Sequence, residues 1–161
     1  MIKAMYPGSF DPITNGHLDI VNRSTKLFDE IVILVAANIR KGGSWFSVEE
    51  RIAMIKDAVE HNPKIKVESW DGLIMDYATK NNVNVVIRGL RAASDFEYEF
   101  MMAAANKRLN DDVETMFMMT GESLFFVSSS LVKELHKYNS DISHYVPLNV
   151  KNKILEKGIK I

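Results

Sequence analysis

The 161 residues contain no cysteine, which excludes a disulfide framework, a thiolate nucleophile and a zinc site built on sulfur. Charge of one sign is lacking too. The 20 Lys and Arg stand against 21 Asp and Glu, a net charge of −1. That balance draws the chain neither to nucleic acid nor to an anionic membrane, so any anion site must be a local cluster of charge. Long apolar runs are missing. The longest, Ile31–Ala37, falls far short of the ~20 residues that a membrane span needs. Met1-Ile2-Lys3-Ala4 enters an apolar run without a charged leader, so a soluble, cytoplasmic protein is expected. No internal repeat, low-complexity segment or linker interrupts the sequence, and its length suits a single domain over residues 1–161.

What the sequence does hold is concentrated in one early stretch, Tyr6-Pro7-Gly8-Ser9-Phe10-Asp11-Pro12-Ile13-Thr14-Asn15-Gly16-His17. It joins the apolar run Ile2–Tyr6, read as a strand, to an amphipathic run from Leu18 to Leu27, read as a helix. A strand, a glycine-bearing loop and a helix start make a βα turn whose unpaired N–H groups and dipole favour bound phosphate. Gly16 lets backbone approach a ligand, and His17 falls in the first helical turn.

The remaining elements alternate. Strands are expected at Ile31–Ala37, Lys64–Ser69, Asn84–Ile87 and Glu114–Met119. A basic loop, Asn38–Phe46, follows the second strand. Helices are expected from the capping-box pattern at Ser47 to about Glu60, at Leu73–Lys80, from a second such pattern at Ser94 to about Leu109, from Ser128 to about Tyr138, and at Asn149–Lys157. This order predicts an α/β fold: a Rossmann-like, doubly wound, five-stranded parallel sheet in a single domain with C-terminal helices. Such sheets bind ligands beyond the carboxyl ends of their strands. The loops at residues 7–17, Lys41, Arg88–Arg91 and Val127–Ser130 all fall there.

Three blocks in register then carry a resemblance: residues 7–17, with its Thr-x-Gly-His; Ile87-Arg88-Gly89-Leu90-Arg91 followed by Ser94-Asp95-Phe96-Glu97-Tyr98-Glu99; and Val127-Ser128-Ser129-Ser130-Leu131-Val132-Lys133-Glu134. Over nearly its whole length the chain resembles the bacterial phosphopantetheine adenylyltransferases of the nucleotidylyltransferase superfamily. The resemblance implies adenylyl transfer from ATP to 4′-phosphopantetheine, giving dephospho-CoA and pyrophosphate, with Mg2+ assisting. It also implies a homohexamer and feedback binding of coenzyme A.

Residue by residue, the resemblance implies His17 as the catalytic donor to the α-phosphate. It implies ATP contacts at Ser9, Phe10, His17, Gly89, Leu90, Arg91, Glu99, Leu124, Phe125, Phe126, Val127, Ser128, Ser129 and Ser130. Substrate contacts are implied at Ser9, Lys41, Ile74 and Arg88, and no residue is assigned to a metal. Arg40 competes with Lys41 for its place, because the loop around them carries one extra residue. Asp11 is expected to organise its loop, and Glu99 to serve as an arginine's partner or an ATP contact. The methionine-rich run Phe100–Ala105 is expected to be core and subunit contact. A helix N-terminus lowers a histidine's pKa and a nearby triphosphate raises it, so the protonation of His17 is expected to depend on ligand occupancy. Two alternatives stand beside this reading: a related nucleotidylyltransferase with another phosphorylated acceptor, and a nucleotide-binding module without turnover.

Overall fold

The computed structural model describes residues 1–37, 44–60, 62–91 and 93–158, and of residues 93 and 94 the backbone alone. Five strands, β1 (Lys3–Gly8), β2 (Glu30–Ala36), β3 (Ile65–Trp70), β4 (Val85–Leu90) and β5 (Glu114–Met119), form one sheet in the order β3-β2-β1-β4-β5. All neighbours run parallel. Helices α1 (Asn15–Ser24), α2 (Val48–Val59), α3 (Ile74–Lys80), α4 (Ala93–Leu109), α5 (Ser129–Lys137) and α6 (Leu148–Glu156) fill the crossovers and the C-terminal part.

The unbroken apolar run of β2 has its physical reason in two packed faces. Ile31, Ile33 and Val35 join Ala4, Tyr6 and Ile87 in the core against α1, α2, α5 and α6. Val32 and Leu34 join Met5 and Val86 on the opposite face, under Met75, Tyr77 and Ala78 of α3. The chain winds outward from β1 to β3 and then crosses to β4 on the other side of β1. The gap between β1 and β4 is therefore the switch point at which such sheets open a crevice.

Boundaries differ from expectation where a side chain, not hydrophobic spacing, decides them. Helix α1 begins at Asn15, three residues before Leu18, because the Thr14 hydroxyl accepts from His17 N–H and starts the helix there. It ends at Ser24, and Phe28 reaches the core from the turn beyond it. Helix α2 starts as read: Glu50 N–H donates to Ser47 Oγ at 3.2 Å, and Ser47 N–H donates back to Glu50 Oε2 at 2.7 Å. Helix α4 begins at Ala93, so Ser94 lies inside it instead of capping it.

Strand β4 runs on to Leu90. Arg88 and Gly89 are therefore strand residues, paired with Phe117 and Met118 of β5, where sequence spacing implied a loop. A short 3-10 turn, Glu122–Leu124, occupies the stretch before Val127.

Candidate active site

At the carboxyl edge of β1 and β4 lies a cleft with two lobes. One lobe, of about 300 Å3, is walled by Tyr6, Phe10 and His17, by Arg88, Gly89 and Arg91, and by Val127–Ser130. The other, of about 320 Å3, is mainly apolar and runs between α3 and α4 past Leu73, Ile74, Met75, Met102 and Ala103. Pro7, Gly8, Ser9, Arg88 and Glu99 belong to both walls. A ligand crossing from one lobe to the other must pass Ser9 and Arg88.

His17 is held by the helix it opens. Thr14 N–H lies 3.1 Å from His17 Nδ1. A main-chain N–H can only donate, so Nδ1 is the acceptor and the neutral ring carries its proton on Nε2. This is a capping box with imidazole in the place usually taken by Glu or Gln. The arrangement leaves Nε2–H as the ring's free donor. Burial, and after it the Arg91 charge, holds the His17 pKa down at about 4. Protonating Nδ1 would set N–H against N–H, with or without a ligand. The direction of the shift comes from burial and Arg91, and the Thr14 bond favours the same neutral ring.

Arg88 presents its fork to Glu99, with Nε at 2.6 Å from Oε2 and Nη2 at 2.5 Å from Oε1, and Nη1 donates to the Pro7 carbonyl at 3.1 Å. Glu99 is thus an arginine's partner and a wall residue at once. Arg91 is tied less tightly, to Asp95 at 3.1 and 3.3 Å. Ser128 caps α5 by accepting from Leu131 N–H at 3.1 Å, and Ser129 Oγ donates to the Pro12 carbonyl at 2.8 Å. The 128–130 turn is thereby fastened to the 7–17 loop.

Ser9, Phe10, His17, Gly89, Arg91, Glu99, Val127, Ser128, Ser129 and Ser130 all line the first lobe, and Ile74 lines the second. Phe10 is buried, at φ +47, with its ring edge-on to that of His17 at 5.1 Å. Leu90, Leu124, Phe125 and Phe126 do not line either lobe; Phe126 is exposed and packs edge-on against Tyr145 at 6.1 Å. Lys41 and Arg40 lie outside the described residues.

Two residues whose structural roles sequence spacing did not show hold the loops. Thr14 is one. The other is Arg51, buried in α2, which donates to the carbonyls of Ser9 at 2.7 Å, Ala36 at 3.1 Å and Ser47 at 3.2 Å. Asp11 organises the loop as expected. It accepts from Trp45 N–H and Phe46 N–H, both at 2.9 Å, and pairs with Lys133.

The chain is similar to known proteins across this whole framework. The cytidylyltransferase-like family profile matches residues 5–135. A phosphopantetheine adenylyltransferase of Dictyoglomus thermophilum is 49% identical over 161 residues, covering 99% of this chain and 98% of its own. One from Staphylococcus haemolyticus is 49% identical, covering 96% of each. Among solved structures, a lipopolysaccharide core biosynthesis protein of Thermoplasma volcanium superposes with a TM-score of 0.57 at 21% identity, covering 76% of this chain and 99% of that one. That last likeness concerns the fold alone. With the cleft in place at the β1–β4 switch point, the chain belongs to the cytidylyltransferase-like family and, within it, to the phosphopantetheine adenylyltransferases.

Proposed function

We propose that the chain transfers the adenylyl group of ATP to 4′-phosphopantetheine. A phosphate oxygen of the acceptor attacks the α-phosphorus in line. The new P–O bond forms as the bond to the bridging oxygen breaks, and pyrophosphate leaves with its electron pair. No enzyme nucleophile takes part. The protein has to hold two anionic phosphates together and stabilise the charge that builds on the α-phosphoryl oxygens.

The observation that carries this reading is the shared wall. The polar lobe, with Arg91, the Ser128–Ser130 turn and the start of α1, suits a triphosphate. The apolar lobe past Ile74 suits a pantetheine arm, and Arg88 and Ser9 stand where the two meet. His17 Nε2–H, in the wall of the polar lobe, donates to an α-phosphoryl oxygen as its charge grows.

Among the described residues no group of three His, Asp or Glu could hold a metal, and Glu99, the one carboxylate lining the cleft, is engaged by Arg88. The residues present thus form no metal cage. Mg2+ would be held by oxygens of the triphosphate and by water, which it prefers, and would offset the charge of the phosphates.

The test is pyrophosphate release with each candidate acceptor in turn. Release that requires phosphopantetheine supports the reading. Equal release with nicotinamide mononucleotide, or binding heats with no release at all, sinks it. Within the same assay Arg88→Lys is expected to raise the KM for phosphopantetheine roughly tenfold, since an ammonium cannot hold Glu99 through two donors and also meet the acceptor's phosphate. An unchanged KM would remove Arg88 from the acceptor site.

The proposed setting is the cytoplasm; among the described residues no helix is long and apolar enough to cross a membrane. A homohexamer is proposed on the apolar side chains that α4 and β5 leave exposed, among them Phe96, Phe100, Met101 and Met119. Sedimentation equilibrium would give the mass of six 18.3 kDa chains or refute it. Coenzyme A, which shares the pantetheine arm, is proposed as a competing ligand, and failure to inhibit turnover would exclude it.

A further inference from the structure

Tyr6 lies outside the residues that the resemblance implicates, yet it forms the floor of the polar lobe. Its side chain points to the α1 face of the sheet, in the same core as Ala4, Ile20 and Ile87. Gly89 of the neighbouring strand lies beneath its tip: a Cβ built at position 89 would stand 3.1 Å from Tyr6 Oη. Glycine at 89 thus leaves the space that the phenol fills. The ring is fixed edge-on to Phe10 at 5.5 Å and lies 6.3 Å from the ring of His17.

The ring is buried, but its hydroxyl is not paired. Tyr6 Oη makes no hydrogen bond to any described residue, and among them Thr120 Oγ1 is the one fully buried side-chain polar atom without a partner. The phenol oxygen therefore opens on the cleft. Burial, opposed by the Arg88 and Arg91 charges, pushes its pKa up to about 12, so it stays an O–H donor. A ligand that fills the cleft takes water from this donor, which is costly unless the ligand supplies the acceptor. Of the charged and ring groups around it, Arg88, Arg91 and His17 are donors, and the one carboxylate, Glu99, is engaged by Arg88.

We propose that Tyr6 Oη–H donates to a phosphate oxygen of the bound nucleotide, beside the oxygen that His17 Nε2–H serves. The proposal rests on the nucleotide reading of the polar lobe. It makes Tyr6 a further binding residue of the site, with the phosphate, not the base, as what it recognises.

Tyr6→Phe keeps the ring and its packing and removes one oxygen, so a purely structural role predicts no change at all. Calorimetry of ATP binding without acceptor is expected to show roughly tenfold weaker affinity, the size of one hydrogen bond to a charged oxygen. The thermal midpoint is expected to stay within about a degree, because the packing that sets it is retained. Adenosine, which has no phosphate, should bind the two proteins alike. ATP affinities within twofold of each other, or equal losses for ATP and adenosine, overturn the proposal. A wild-type protein that binds ATP but releases no pyrophosphate with phosphopantetheine sinks the transfer reading, and the ATP arm still judges Tyr6. Failure of the wild type to bind ATP sinks both.

Discussion

Replacing His17 with Ala is expected to lower kcat by roughly 10²–10³ while ATP affinity stays within a few-fold of wild type. A donor aimed at charge that develops only in the transition state is worth about 3–4 kcal/mol there and little in the ground state. Ala also removes the acceptor of Thr14 N–H, which loosens the start of α1 by about 1 kcal/mol. His17→Gln separates the two effects. A Gln at this position restores the usual capping box around Thr14, so stability is expected to hold while the rate falls as far as in the Ala variant. A Gln variant with wild-type kcat would show that imidazole is not the donor.

The pH profile follows from the same bond. With its folded pKa near 4, below the ordinary histidine value of 6.5, His17 is neutral and competent above that range. Its contribution to stability is fully present above about pH 6.5 and is lost as pH falls through 4. The rate is expected to show no His17 limb between pH 8 and about 5. A rate that rises as pH drops through 6.5 would mean that imidazolium is the working form.

Sheet and cleft were legible because they depend on local signals. The apolar run of β2, the Ser47–Glu50 box and the glycine loop before His17 each announce one element, and their alternation places the loops at one edge of the sheet. Of the boundaries that moved, the end of β4 depends on a partner far along the chain, and the start of α1 on a local cap of unusual composition. Arg88-Gly89-Leu90 looks like a turn, but pairing with Phe117–Met119 holds it in β4. Thr14 escaped notice as a cap because histidine stands where the pattern calls for Glu or Gln. Glu99 could be read as an arginine's partner, but only the fold says which arginine, by bringing it to 2.6 Å from Arg88 Nε. Nothing in the sequence marks Arg51 either; its neighbours Glu49 and Glu50 suggest a solvated face, and only the fold brings three carbonyls to its guanidinium.

Arg51→Met is for that reason expected to give the largest loss of stability. Arg51 is 2% exposed and has three backbone carbonyls, but no carboxylate, as its hydrogen-bond partners. Methionine keeps the aliphatic stem that packs in the core but is shorter and donates nothing. The Ser47 carbonyl still accepts from the residue-51 N–H in α2 at 3.0 Å, whereas those of Ser9 and Ala36 lose the Arg51 donor. Two such losses cost roughly 2–5 kcal/mol, which for a chain of this size lowers the thermal midpoint by on the order of 10 °C. The loss also reaches the site, because the carbonyl released at residue 9 belongs to the wall that both lobes share. At a temperature where the variant is fully folded, kcat/KM for both substrates is expected to fall together. Arg51→Lys, whose single ammonium reaches fewer carbonyls, should fall between the two. A midpoint within 2 °C of wild type would show that the three loops are held by something other than this guanidinium.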